Sequence, residues 1–198
     1  MACTTVGLFG GSFNPPHIGH VLAAAYVLSA GLVERVIAVP VFSHALGKSL
    51  APFPARVAMA RLAFEWLPGV EVSDVEQELG SPSRTLRTIQ ALSARHPDWQ
   101  LRLLVGSDIL GELHQWHAYA EIERLAPPLI LPRPGAPDPS RPGEAARILP
   151  DISSTEVRAS LDAAARGDSE GAAELQRVVP APVLAYLREQ GLYGNAAP

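Results

Sequence analysis

Thr5-Val6-Gly7-Leu8-Phe9-Gly10-Gly11-Ser12-Phe13-Asn14-Pro15-Pro16-His17-Ile18-Gly19-His20 is the stretch that decides the fold. It opens on a short apolar run closed by glycines, the pattern of a strand buried on both faces of a parallel sheet. A helix is expected next. Asn14 suits its cap, Pro15 its first turn, and Ile18, Val21, Leu22, Ala25 and Leu28 recur at helical spacing until Gly31. Residues 35–40 then read as a second strand, and strand, helix, strand in this length is a βαβ unit with a right-handed crossover.

Outward from that unit the alternation continues. Helices are expected at 54–66 and 85–96, strands at 70–73, 101–105 and 129–131, and a helical stretch in two pieces at 110–125. A proline-dense boundary spans 127–150, with one more edge strand read at 147–149. Residues 153–198 read as helices interrupted at 167–171 and 180–182. The fold class is α/β: a doubly wound, mostly parallel sheet with a small C-terminal helical subdomain. We read 1–198 as a single domain, with the sheet core in 1–150 and the helical part in 151–198.

Composition narrows the function. A chain of 198 residues with 47% hydrophobic and 18% charged residues can bury a core, which excludes wholesale disorder. The net charge of −4 argues against coating nucleic acid or an anionic membrane. The N-terminal segment lacks the basic region of a signal peptide, and the apolar run 18–30 is too short to span a bilayer. The single cysteine, Cys3, makes no internal disulfide, so a reducing cytoplasm is the expected compartment.

The chemistry is expected where the first strand hands over to the first helix. Gly10 and Gly11 let the backbone approach an anion in the turn they form with Ser12 and Phe13, and free amides at a helix start favour negative charge. His17 and His20, three apart, share one face of the first turn and suit a phosphate chain. The pair also matches part of a zinc set, although a third ligand at motif spacing is missing. The loop departs from the Gly-x-Gly-x-x-Gly of dinucleotide-binding oxidoreductases. A second helix start, Ser153-Ser154-Thr155-Glu156, fits a capping box, and Arg158 one turn on makes it a second phosphate site. Lys48, the only lysine among 16 basic residues, falls in the loop after the second strand. Gly106 and Asp108 follow the fourth strand, where a carboxylate suits ribose hydroxyls or a metal. Trp116 suits either a base or the core. His44, His96, His114 and His117 read as surface or core residues.

Gly10 to His20 resembles the signature of the nucleotidyltransferase superfamily with the His-x-Gly-His motif, and residues 152–158, Ile-Ser-Ser-Thr-Glu-Val-Arg, resemble its second motif. Residues 72–76, 105–108, Trp116, 133–135 and the closing 183–193 are similar to bacterial nicotinate mononucleotide adenylyltransferases. The resemblance implies a Rossmann-like sheet that uses ATP with Mg²⁺ and joins a pyridine mononucleotide to the adenylyl group. It further implies that His17, His20, Lys48 and Arg158 serve the transferring phosphates, with His20 mattering most. Gly10, Gly11, Ser12, Phe13, Gly106, Asp108, Ser153, Ser154 and Thr155 would meet ATP, and Thr85, Trp116 and Arg133 the acceptor. Another phosphorylated acceptor, such as nicotinamide mononucleotide or phosphopantetheine, and a non-catalytic nucleotide-binding regulatory module are the alternatives. Where such relatives carry Ser-Tyr-Thr-x-Asp-Thr, this chain has Ser83-Arg84-Thr85-Leu86-Arg87-Thr88, and the added charge is expected to favour the nicotinate carboxylate over the amide. The second loop departs too: the relatives' Pro-Pro-His-Lys is here Phe42-Ser43-His44-Ala45-Leu46-Gly47-Lys48.

Overall fold

Five parallel strands in the order β3-β2-β1-β4-β5 form the sheet. They are β1 (Thr4–Gly11), β2 (Arg35–Pro40), β3 (Val70–Val72), β4 (Trp99–Gly106) and β5 (Pro128–Leu131). The computed structural model describes residues 3–43, 50–133 and 149–194. Lys48, His44 and most of the expected strand at 147–149 lie outside them; Leu149 itself is buried in the core.

Alternation along the strands sends side chains to two separate cores. Val6 and Leu8, Ile37 and Val39, and Leu101, Leu103 and Val105 face α3 (Val75–Leu79), α4 (Thr85–Arg95) and α5 (Tyr119–Leu125). Val36, Ala38 and Leu104 face the opposite layer. There they meet α1 (Ile18–Ser29), α2 (Phe53–Phe64), α6 (Ser154–Ala165), α7 (Ser169–Val178) and α8 (Ala181–Glu189). The C-terminal helices thus pack into the same core as α1 and α2, and this brings the second motif beside the first.

The sheet winds outward through β2 and β3 and then crosses back to β4 beside β1. Ligands of such sheets bind outside the carboxyl ends at that reversal. The β1–α1 turn and the residues after β4 flank this position.

Two local expectations are corrected. Asn14 does not cap α1; His17 does. Pro15 and Pro16 disfavour helical backbone in the residues before them, so the helix starts only after them, and the Asn14 side chain turns to distant partners. The residues after β4 enter a 3-10 helix at once (Ser107–Gln115), and Asp108 stands in its first turn. The short α3 was absent from the sequence reading, because five residues leave no measurable periodicity.

Candidate active site

His17 and His20 sit side by side at the start of α1, ring centroids 3.9 Å apart and planes tilted by 43°. The His17 backbone N–H donates to His20 Nδ1 at 3.1 Å. That nitrogen therefore carries no proton, and the neutral His20 ring holds its proton on Nε2 as a donor. Burial, then His17 and the Arg133 guanidinium, push His20 well below the usual histidine range. Burial and Arg133 lower His17 to about 4, against an opposing pull from Glu156. Gly19 between them leaves room for the His17 ring: a β-carbon there would lie 3.0 Å from it and press on the ring.

The depressed His17 predicts an acid limb of stability. Between pH 6.5 and 4 the unfolded chain binds more protons than the folded one, so stability falls as pH drops through that window. The full difference is about 3 kcal/mol. Denaturant titrations should show wild type losing about that much more than His17→Gln between pH 7 and 4. An equally steep limb in the variant contradicts the assignment.

Phe13 is fully buried, with its ring against Phe9, Phe64 and His20. Its φ of 44° is left-handed, costly for an aromatic residue and typical of functional turns. Any nucleotide contact from Phe13 is therefore through its backbone. Gly10 is exposed, and the space a β-carbon would fill there is open.

The second motif faces this turn. Ser153 caps α6 as expected: its Oγ accepts from the Glu156 N–H at 3.2 Å, and its own N–H donates to Glu156 Oε2 at 2.7 Å. Ser154 Oγ donates to the Pro15 carbonyl at 2.9 Å, and Arg158 donates to the Asn14 carbonyl at 2.8 Å and to Thr155 Oγ1 at 3.2 Å. The Ser154 hydroxyl and the Arg158 guanidinium tie the two motifs together. The amides of Ser154 and Thr155 are the first two of the helix, which no intrahelical carbonyl serves.

Asp108 and Arg133 close the site from the β4–β5 side. Arg133 Nε lies 3.4 Å from Asp108 Oδ1, and its Nη1 donates to the Ile152 carbonyl at 3.4 Å. A β-carbon on Gly106 would collide with Asp108 Oδ1 and come within 3.0 Å of Arg133 Nε, so this arrangement needs glycine. Among the described residues, two buried side-chain nitrogens lack a hydrogen bond, His17 Nδ1 and Arg133 Nε, and both belong to this site. Thr85 and Trp116 belong to the other layer of the sheet from α1. Thr85 opens α4, and Trp116 packs against the core of Leu113 and Ile122. No group of three or more His, Cys, Asp or Glu with metal-holding geometry occurs among the described residues.

Sequence reasoning missed two buried charges that shape the loops. Arg56, 1% exposed, donates to the carbonyls of Ala51, Ser12, Val41 and Phe42. Glu76 accepts from the Phe42 N–H and the Thr88 hydroxyl, both at 2.9 Å. Arg56 carries one available signal: it shares the apolar stripe of α2 with Phe53, Val57, Ala60 and Phe64.

Two helix starts joined through Ser154 and Arg158, with Arg133 beside them, define a site for transferring a nucleotidyl group between phosphates. Residues 8–160 match the cytidylyltransferase-like family. The chain is 42% identical over 191 residues to a "probable nicotinate-nucleotide adenylyltransferase" of Anaeromyxobacter sp. (strain K), covering 95% of this chain and 96% of that one. The protein of the same name from Myxococcus xanthus is 42% identical over 190 residues, covering 96% and 94%. The chain belongs to the nicotinate-nucleotide adenylyltransferase family, within the cytidylyltransferase-like nucleotidyltransferases. Its fold matches the nicotinic acid mononucleotide adenylyltransferase of Plasmodium falciparum solved with NaAD, with a TM-score of 0.80 at 16% identity over 98% of this chain and all of that one.

Proposed function

We propose that this chain transfers the adenylyl group of ATP to the 5′-phosphate of nicotinate mononucleotide, giving the dinucleotide and pyrophosphate in NAD biosynthesis. The names of its relatives and the NaAD held by the Plasmodium protein support this reading. The observation that carries it is the joining of the two helix starts through Ser154 and Arg158, with the buried His17 Nδ1 beside them lacking a hydrogen bond. Such a site fits a polyphosphate.

The acceptor's phosphate is anionic at neutral pH, so its oxygen attacks the ATP α-phosphorus with no base required. The new P–O bond forms as the bond from that phosphorus to the pyrophosphate oxygen breaks. Catalysis then rests on alignment and on neutralising the departing charge. His20 donates from Nε2, Arg158 lies between the two motifs, and the amides of Ser154 and Thr155 supply further donors. Gly10, Gly11 and Ser12 form the floor, Asp108 takes ribose hydroxyls, and Arg133 takes the acceptor phosphate, with Thr85 and Trp116 beside the pyridine ring. Lys48 adds charge from the second loop. Magnesium arrives as part of the MgATP substrate, held chiefly by phosphate oxygens. No helix among the described residues is long and apolar enough to cross a membrane, and we place the reaction in the cytoplasm.

The test is pyrophosphate release from MgATP with nicotinate mononucleotide, nicotinamide mononucleotide or phosphopantetheine as acceptor. Fastest turnover on the nicotinate compound is expected; turnover on phosphopantetheine alone reassigns the acceptor, and none on any supports a regulatory module. The two arginines of the acceptor segment now separate. Arg87 donates to the carbonyls of Leu79 and Pro82, at 2.6 and 3.2 Å, whereas Arg84 is exposed beside Thr85. Arg84→Ala should lower the acid-to-amide ratio of kcat/KM about tenfold, the worth of one charge-assisted hydrogen bond, and Arg87→Ala should leave it unchanged. An unaltered ratio in Arg84→Ala removes Arg84 from recognition.

A further inference from the structure

After α8 the chain returns to the β1–α1 turn. Leu192–Gly194 form one 3-10 turn in which Tyr193 holds φ 57° and ψ 44°. A bulky residue keeps that left-handed conformation only where its surroundings impose it, and such residues gather at functional sites. The Tyr193 hydroxyl donates to Asn14 Oδ1 across 179 positions of sequence. Burial pushes this hydroxyl up to about 12, so it remains a donor throughout the working pH range. The Ala51 N–H donates to the same oxygen at 3.0 Å.

Asn14 is 2% exposed and stands three residues before His17. Its side-chain oxygen joins the C-terminal turn to the segment leading into α2, and its main-chain carbonyl accepts from Arg158. The neighbouring Pro15 carbonyl accepts from Ser154. Three bonds on Asn14 and Pro15 thus come from the C-terminal helical part. Two belong to the second motif; the third, from Tyr193, does not. Arg158 and Ser154 hold the main chain, whereas the orientation of the Asn14 amide is set by Ala51 and Tyr193.

We propose that Tyr193 is a positioning residue for adenylyl transfer: by fixing the Asn14 amide it sets the turn that presents His17 and His20 to the reacting phosphates. The inference rests on the reaction proposed above. It predicts an effect on kcat, because misplaced histidines weaken contacts made in the transition state while the cations that bind ATP stay in place. A tyrosine that merely anchored the chain end would change melting temperature alone.

The experiment compares wild type, Tyr193→Phe, Asn14→Ala and the double variant in pyrophosphate release, at a temperature where circular dichroism shows each folded. Tyr193→Phe should lose about tenfold in kcat, with both KM values within about twofold. Because the tyrosine acts through Asn14, the double variant should be no slower than Asn14→Ala. A Tyr193→Phe kcat within about twofold of wild type overturns the proposal, as do losses that multiply in the double variant. Hydrogen exchange of residues 14–20 supplies a readout independent of turnover and of global melting. It should quicken about tenfold in Tyr193→Phe while α8 is unchanged, and equal exchange also overturns the proposal. Absence of turnover in wild type sinks the adenylyl-transfer reading instead and leaves the exchange result to decide whether Tyr193 fixes the turn.

Discussion

Replacing His20 by alanine is expected to lower kcat for pyrophosphate release by about 10² to 10³, with KM for ATP changed only a few fold. The magnitude is that of removing one oriented donor from the point where charge develops in a transition state, and the geometry supports that role. The His17 N–H occupies His20 Nδ1, so the ring's proton is confined to Nε2. Packing against Phe13, Phe9 and His17 holds the plane of the ring, so little reorganisation accompanies the reaction. His20→Asn, which retains an N–H donor on a shorter arm, should recover part of the loss. A variant with normal kcat and raised KM would show that His20 serves binding in the ground state alone.

The pH profile separates this donor from a general acid. Both the neutral and the cationic ring keep the Nε2 proton, and burial holds His20 far below the usual range. No histidine limb should therefore appear near pH 6.5. An acid limb near pH 6 is expected instead from the second ionisation of the acceptor phosphate, and it should persist in His20→Asn. Loss of that limb on substitution would transfer the titration to the imidazole.

How much of this was legible in the sequence depends on where each residue's partners lie. The strand, glycine turn and His-x-x-His spacing form one local pattern, so β1, α1 and the pairing of His17 with His20 could be read directly. The same holds for the Ser153 and Glu156 box, whose two bonds span three residues. Asn14 was misread as a cap because its true partners, Ala51 and Tyr193, are distant, and a helix-cap residue type says nothing about them. Phe13 sits within the recognised motif, yet its buried ring belongs to the core. Arg56 was hidden by composition, since arginine is frequent in this chain, and by its partners, which are backbone carbonyls that leave no mark on residue identity.

Arg56 carries the largest expected effect on stability. Its guanidinium joins the end of the β1 turn at Ser12, the exit of β2 at Val41 and Phe42, and the entry to α2 at Ala51, all at 2.8 to 3.3 Å. Its charge is also drawn to the Glu76 carboxylate and lies 5.4 Å over the Phe53 ring. Burial lowers its pKa, but an arginine starts so high that it stays charged. Arg56→Ala would leave four carbonyls without this donor and open a cavity in the core. The expected loss is about 3–5 kcal/mol, or a melting temperature lower by about 10 °C. Arg56→Lys tests the geometry: a single ammonium retains the charge but cannot span three loops, so about 2 kcal/mol should still be lost. A lysine variant as stable as wild type in urea titration would show that charge alone suffices there. Because these loops carry the glycine turn and flank the segment holding Lys48, the folded fraction of Arg56→Lys should also bind ATP more weakly than wild type, a loss that calorimetry can separate from unfolding.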